Sequence, residues 1–186
     1  MTGSDSRQHR DIAVRPAAIT DSSAISRLSL LTADNGKSAA TRMYYRDLPG
    51  LTTLLPFLYL PTGFSYVLVE TTRINSLSVS KVIGCVCGTS NPSQFSRELQ
   101  PSWWPMLKEQ YSKSLPGTPL DRHFINSIHR LARPGSFSSF ATASLHIRVL
   151  PTYKDLGCEK LLINVAMRHF KKHVRLTRGS NSLATT

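Results

Sequence analysis

The sequence predicts an α/β fold: a mixed, mostly antiparallel sheet flanked by helices. Three observations carry this. Short alternating runs of apolar residues recur at Ile12–Arg15, Phe64–Glu70, Lys81–Gly88 and Ala143–Val149, and period-two alternation is the mark of strands. Between and after them lie segments with helical spacing. The 186-residue length suits one domain with a substantial core and is too short for two comfortable ones.

The elements follow in order. Residues 1–10 read as a disordered lead, and IAVR is a short strand ending at Pro16. Thr20 or Asp21 can cap a helix through Leu31, whose apolar face is Ala24, Ile25, Leu28 and Leu31. Asp34-Asn35-Gly36 is turn chemistry. A second helix is expected over Ser38–Leu48, stopped by Pro49-Gly50. FSYVLVE alternates as a strand, and Arg73–Ser80 reads as a polar loop. KVIGCVCG is nearly all apolar, as an interior strand covered on both faces would be; these two strands form an antiparallel hairpin. Residues 91–113 hold one or two short helices around Trp103-Trp104. Pro116–Pro119 is a loop, His123–Leu131 a short helix and Arg133–Ser139 a loop.

The richest stretch is LHIRVLPTYKDLGCEKLL. Leu145, Ile147 and Val149 alternate with His146 and Arg148 up to Pro151, a turn carrying Gly157 follows, and a helix opens at once. Leu161, Leu162, Val165, Ala166, His169 and Phe170 form its apolar stripe; Lys160, Asn164, Arg168, Lys171 and Lys172 fall opposite. Strand, glycine-bearing turn and helix N-terminus together gather main-chain N–H groups where the helix dipole favours an anion, expected here to be a pyrophosphate. Lys154 and Lys160 can add charge-assisted contacts, whereas Asp155 and Glu159 place carboxylates nearby. An ordinary strand-to-helix connection capped by glycine has the same local pattern.

Charge and cysteine content limit the function classes. The chain carries 23 Lys and Arg against 11 acids, a formal +12. The positive charge thickens at Arg168, Lys171, Lys172, Arg175 and Arg178, either as a solvated helix end or as an attraction for polyanions such as CoA-type phosphates, nucleic acid or acidic lipid. Such a surface docks basic peptides poorly. No run approaches the ~20 apolar residues of a membrane span, and MTGSDSRQHR has no apolar signal core, so an intracellular site, cytoplasmic or nuclear, is expected. Cys85, Cys87 and Cys158 read as small buried hydrophobes, and no Cys/His set has zinc spacing, so no metal is expected. RNA-binding aromatic motifs and recognition-helix patterns are missing, which makes a nucleic-acid partner the weakest reading.

The segment from Val149 resembles the cofactor motif of the GNAT superfamily of acyl-CoA N-acyltransferases: a strand ending V-x-P-x-Y, then Gln/Arg-x-x-Gly-x-Gly/Ala, then a helix with Leu-Leu. Val149, Pro151, Tyr153, Lys154, Gly157, Leu161 and Leu162 fall on those positions. Upstream, IAVRPAAITDSSAISRL, SYVLVE and KVIGCVCGTSNPSQF resemble the family's first strand and helix and its next two strands. ADNGKSAATRMYYRDLPGL, the stretch from Gln94-Phe95 to Trp103-Trp104-Pro105, and LHIRVLP resemble the acetyltransferase-like branch related to the C-terminal domain of O-GlcNAcases. The likeness covers residues 11–174, leaving 175–186 as a polar, basic tail expected to be disordered.

The resemblance implies an acetyl-CoA-dependent N-acetyltransferase, with an amine acceptor attacking the acetyl carbon directly. Main-chain groups of Ile147, Arg148 and Val149 would pair with the pantetheine arm, and an N–H near Val149 would polarise the thioester carbonyl. Amides from Lys154 through Asp155, Leu156, Gly157, Cys158 and Glu159, with Lys160, would hold the pyrophosphate. The sequence also departs from the pattern. Lys154 replaces Gln or Arg, Asp155 a common Gly, and Glu159 the small residue that lets helix and phosphate approach. The further strand, helix and hairpin of the family, with its tyrosine acid, have no counterpart after this helix, so the fold is expected to be C-terminally truncated. These departures support an alternative: a catalytically inactive pseudo-acetyltransferase that binds CoA weakly or serves protein interactions. No catalytic residue stands out. His146 is the weak candidate and His129 a weaker one; Asp34-Asn35, Tyr44-Tyr45 and Trp103-Trp104 lie where an acceptor would face the family's site but fit turn chemistry and packing equally.

Overall fold

The computed structural model describes residues 9–74, 77–131, 143–154 and 156–181, with side chains at all of these except 9, 74 and 174–181. Its centre is a four-stranded sheet in the order β1-β2-β3-β4, with β1 at His9–Pro16, β2 at Phe64–Ile74, β3 at Leu77–Thr89 and β4 at Ser144–Val149. All three pairings are antiparallel. The central strand β3 turns from exposed to fully buried along its length, as its sequence changes from LSVSK to the apolar VIGCVCG. The described helices are α1 (Ser22–Leu30), α2 (Leu48–Thr53), α3 (Leu55–Tyr59), α4 (Pro92–Leu99), α5 (Trp103–Gln110), α6 (Pro119–Leu131) and α7 (Cys158–Asn181). None of them is long and apolar enough to cross a membrane.

Helix α7 packs on the sheet through Leu162 and Ala166, both fully buried, and through Phe170, whose ring meets Phe64 edge-on. Leu161, expected on this stripe, is exposed, as are Ile163 and Met167. The opposite face of the sheet receives α1, whose Ile25 and Leu28 are buried, and the α2–α6 cluster around Leu48, Leu54, Phe57, Leu99 and Trp104.

Several elements differ from the sequence reading. No helix forms over Ser38–Leu48. That segment is a chain of turns, and Pro49-Gly50 opens α2 instead of stopping a helix, with Pro at its first turn, where the missing N–H costs nothing. The reason lies far along the chain. The carboxylate of Asp121, wholly buried, accepts the N–H groups of Tyr44 at 3.0 Å and Tyr45 at 3.1 Å, so those amides are spent outside any helix. Asp121 also accepts from the N–H and hydroxyl of Thr118, each at 2.8 Å, while its own N–H donates to Thr118 Oγ1 at 3.1 Å. This reciprocal cap starts α6 at Pro119, inside the stretch read as a loop.

The polar Arg73–Ser80 stretch is largely strand: the β2–β3 hairpin extends to an Ile74–Leu77 pairing, with Thr71 and Ser80 hydroxyls 3.0 Å apart across it. Strand β1 starts at His9, inside the expected lead, and α7 continues to Asn181, into the stretch read as tail. The Arg133–Ser139 loop lies outside the described residues.

Candidate functional site

Strand β4 pairs with β3 on one side only; among the described residues no strand covers its other edge. Which groups face that edge follows from two contacts. The N–H of Leu150 donates to Ile83 O at 2.9 Å, so Leu150 turns its main-chain groups towards β3. Alternation then turns those of Leu145, Ile147 and Val149 outwards. The Arg148 guanidinium confirms the direction by donating to the outward carbonyl of Ile147 at 2.9 Å. The open edge therefore offers the Val149 and Ile147 N–H groups, with one of its carbonyls capped by Arg148.

A groove of about 480 Å3 runs along this edge. Ile147, Arg148, Val149, Lys154 and Glu159 line it, together with Ile163 of α7 and Thr32, Ala33, Asn35 and Gly36 after α1. Those residues form a tight hairpin turn, with Asn35 at φ 49° and Gly36 at φ 82°, closed by reciprocal main-chain bonds between Asp34 and Lys37. The turn is tied down by an ion pair from Asp34 to Arg42. A Cβ at Gly36 would lie 3.2 Å from Lys154 Nζ, so the ammonium reaches across the groove onto this turn.

Beyond β4 the chain makes one 3-10 turn, Pro151–Tyr153, and the Tyr153 hydroxyl donates to Glu70 Oε2 at 2.6 Å. This bond tethers the turn to β2. Gly157 follows at φ 73°, a conformation L side chains adopt at a cost, and a Cβ there would have nothing within 4 Å. The backbone is thus left-handed and open to solvent immediately before α7 begins at Cys158. The N–H groups of Cys158, Glu159 and Lys160 belong to the first turn of α7 and have no acceptor within the helix.

Each expected cofactor residue can now be placed. Ile147, Arg148, Val149, Lys154 and Glu159 meet in one groove. Gly157, Leu156 and Lys160 lie exposed around its end. Cys158 is buried, and its thiol, raised by burial and by the Glu159 and Glu70 charges, is held inside, so only its amide can serve a ligand. The Lys154 amide already donates to Pro151 O at 3.3 Å, which leaves the Lys154 side chain as its contribution. Asp155 lies outside the described residues. Glu159 brings a carboxylate into the groove.

The remaining candidates separate. His146 does not face this groove; it lines a second cavity, described below. Its ring sits 5.2 Å from that of Phe57, and burial, with the Arg148 charge, holds its pKa below the usual imidazole value. His129 binds the carbonyl of Tyr111 at 3.0 Å and holds the end of α5. Tyr45 packs edge-on against Tyr111, Tyr44 is exposed, and the Trp103 indole donates to Leu51 O at 3.1 Å. Asp34-Asn35 is turn chemistry, and Asn35 also lines the groove. Cys85 and Cys87 are buried and unbridged. Among the described residues no cluster of His, Cys, Asp or Glu could hold a metal ion.

No known family model matches the sequence, and no curated protein matches it. Solved structures do match. The crystal structure of SsHAT superposes with a TM-score of 0.71 at 21% identity, over 88% of this chain and 78% of that one. The chain has a GNAT-like fold. In this fold the sheet edge at β4, Lys154 and Glu159 of the first turn of α7 line one groove.

Proposed function

We propose that the protein is an acetyl-CoA-dependent N-acetyltransferase. One observation carries the reading: the open β4 edge and Glu159 of the first turn of α7 line one groove that Lys154 spans, with the left-handed Gly157 just before that turn. The residues fit a long, extended thioester ending in a diphosphate. The outward N–H groups of Ile147 and Val149 would pair with amides of the extended arm. The amides of Cys158, Glu159 and Lys160, with the Lys154 ammonium, would hold the diphosphate, since a helix N-terminus favours an anion. Acetyl-CoA supplies an activated acyl group; the chain supplies orientation and a donor, the Val149 N–H, for the acyl oxygen. The likeness to SsHAT supports acyl transfer at the level of fold.

A second reading, a weak-binding pseudo-acetyltransferase, is favoured by two contacts. Glu159 faces the intended anion, and Arg148 occupies the Ile147 carbonyl. Calorimetric titration with acetyl-CoA separates the two, combined with thiol release in the presence of amines. Saturable binding that Gly157→Trp abolishes, with thiol release, supports the enzyme. Weak binding without thiol release supports the pseudo-enzyme, and no heat at millimolar ligand refutes both.

A further inference from the structure

On the face of the sheet opposite α7 a second cavity, of about 330 Å3, lies between α2–α6, the end of β3 and the start of β4. Its walls are apolar. Phe57 and Phe95 stack in parallel, 4.3 Å between ring centres, and among the described residues no Lys, Arg, Asp or Glu lines it. Most of its polar atoms are spent: Thr52 and Thr53 donate to the Leu48 and Pro49 carbonyls, and Thr89 Oγ1 accepts from the Asn91 N–H. Two groups remain. Trp104 is 1% exposed, and its indole N–H has no hydrogen-bond partner among the described residues. Among the described residues the His146 ring has one hydrogen-bond partner, Ser144 Oγ, at the long distance of 3.5 Å. A buried donor left unmatched calls for a physical explanation, and a ligand acceptor provides one.

The cavity adjoins the groove. His146 and Arg148 stand on one face of β4, two residues and about 7 Å apart; the first lines the cavity, the second the groove. We infer that the cavity holds the acceptor of the transfer: a primary amine on a small, uncharged aromatic body, its ring between Phe57, Phe95 and Trp104 and its nitrogen at His146. This rests on the acyl-transfer reading above. The volume suits one ring with a short arm, since a cavity of about 150 Å3 already accepts benzene. An ammonium is disfavoured, because the described lining holds no carboxylate and Arg148 stands at the next position on the same face. The amine enters as free base. As its nitrogen bonds to the acyl carbon, an N–H proton passes to the neutral imidazole of His146, the C–S bond breaks, and the departing thiolate takes a proton from water. A ring-borne oxygen would satisfy Trp104 Nε1.

The test is tryptophan fluorescence of the full chain titrated with 2-phenylethylamine, tyramine and ethylamine, beside calorimetry with acetyl-CoA. Phenylethylamine is expected to bind at least tenfold more tightly than ethylamine, because the ring is buried. Tyramine should bind more tightly still. Affinity should rise about tenfold per pH unit between 7 and 9, following the free base of an amine with a pKa near 10. Ala143→Trp, at the exposed rim, should abolish amine binding and leave acetyl-CoA binding intact. Acetyl-CoA binding without saturable phenylethylamine binding overturns the cavity assignment alone. PH-independent affinity, or tighter binding of a lysine-rich peptide, also overturns it. Amine binding with no acetyl-CoA binding overturns the transfer reading and with it the acceptor role.

Discussion

Removing the Asp121 carboxylate should destabilise the turns that lead into α2 and the cap of α6. In the native state that carboxylate, wholly buried, accepts three main-chain N–H groups and one hydroxyl, at 2.8–3.1 Å. Hydrogen bonds to a charged acceptor are worth about 1.5–3 kcal/mol each, and a buried donor left bare costs about 1–3 kcal/mol. In Asp121→Ala the Thr118 hydroxyl can rotate to another acceptor, but the Tyr44, Tyr45 and Thr118 amides cannot. Partial entry of water lowers the sum to about 3–5 kcal/mol. Asp121→Asn keeps the shape and one acceptor oxygen, and turns its NH2 towards the donors on the other side, so about 2–3 kcal/mol is expected. With a urea m-value of about 2 kcal/mol/M, the alanine variant should lose about 2 M in midpoint and the asparagine variant about 1 M.

The pH dependence has a definite sign. Burial raises the Asp121 carboxyl, but the amide bonds outweigh it and hold its pKa below the usual value. Its stabilisation is therefore whole above the unfolded carboxylate pKa of about 3.9 and is lost as pH falls through the lower folded value. The gap between wild type and Asp121→Asn should narrow only in that acid window. A loss under 1 kcal/mol for Asp121→Ala with an unchanged m-value would refute the reasoning.

Other substitutions test the groove. Gly157→Ala should cost about 1 kcal/mol in thermal unfolding, from backbone strain alone, because its Cβ meets nothing, whereas Gly157→Trp should remove calorimetric CoA binding. Glu159→Gln removes a like charge beside the diphosphate, worth about 1 kcal/mol, so CoA affinity should rise roughly fivefold. The same change should cost a few tenths of a kcal/mol of stability at the α7 N-terminus. Tyr153→Phe loses the Glu70 bond and should lower Tm by about 3–6 °C, for about 1.5 kcal/mol. His146→Gln should cut thiol release about 100-fold without changing CoA affinity. With the free-base amine kept saturating at each pH, the wild-type rate should hold through pH 6.5 and fall only below it, because the imidazole titrates below its ordinary value.

The parts of this molecule that local chemistry determines were legible in the chain. Leu145, Ile147 and Val149 alternate because β4 has two distinct faces, and Gly157 marks a left-handed junction that no nearby contact enforces. One side of the groove thus follows from eighteen consecutive residues, LHIRVLPTYKDLGCEKLL, and the facing turn after α1 comes from a distant stretch. What was hidden depends on distant partners. Residues 38–48 have helical spacing, yet Asp121, 77 positions after Tyr44, takes their amides. Polar residues 71–74 and 77–80 look like a loop because, at the exposed end of the hairpin, no core demands apolar side chains. The Phe57–Trp104–His146 cavity needs five separate helices to meet the ends of two strands. Its only sequence signals were the tryptophan pair and a histidine in a strand, both of which fit packing equally well.

Because the open edge of β4 would grip a partner through peptide groups, the identities of its outward-facing positions are weakly constrained. Any residue that keeps the extended geometry keeps the donors in place. A pocket built from side chains leaves a fixed signature as its sequence diverges; a site built from the chain's own repeating scaffold lets letters change while the recognition persists. Ancestry in such a protein is therefore recorded in shape long after spelling has been rewritten.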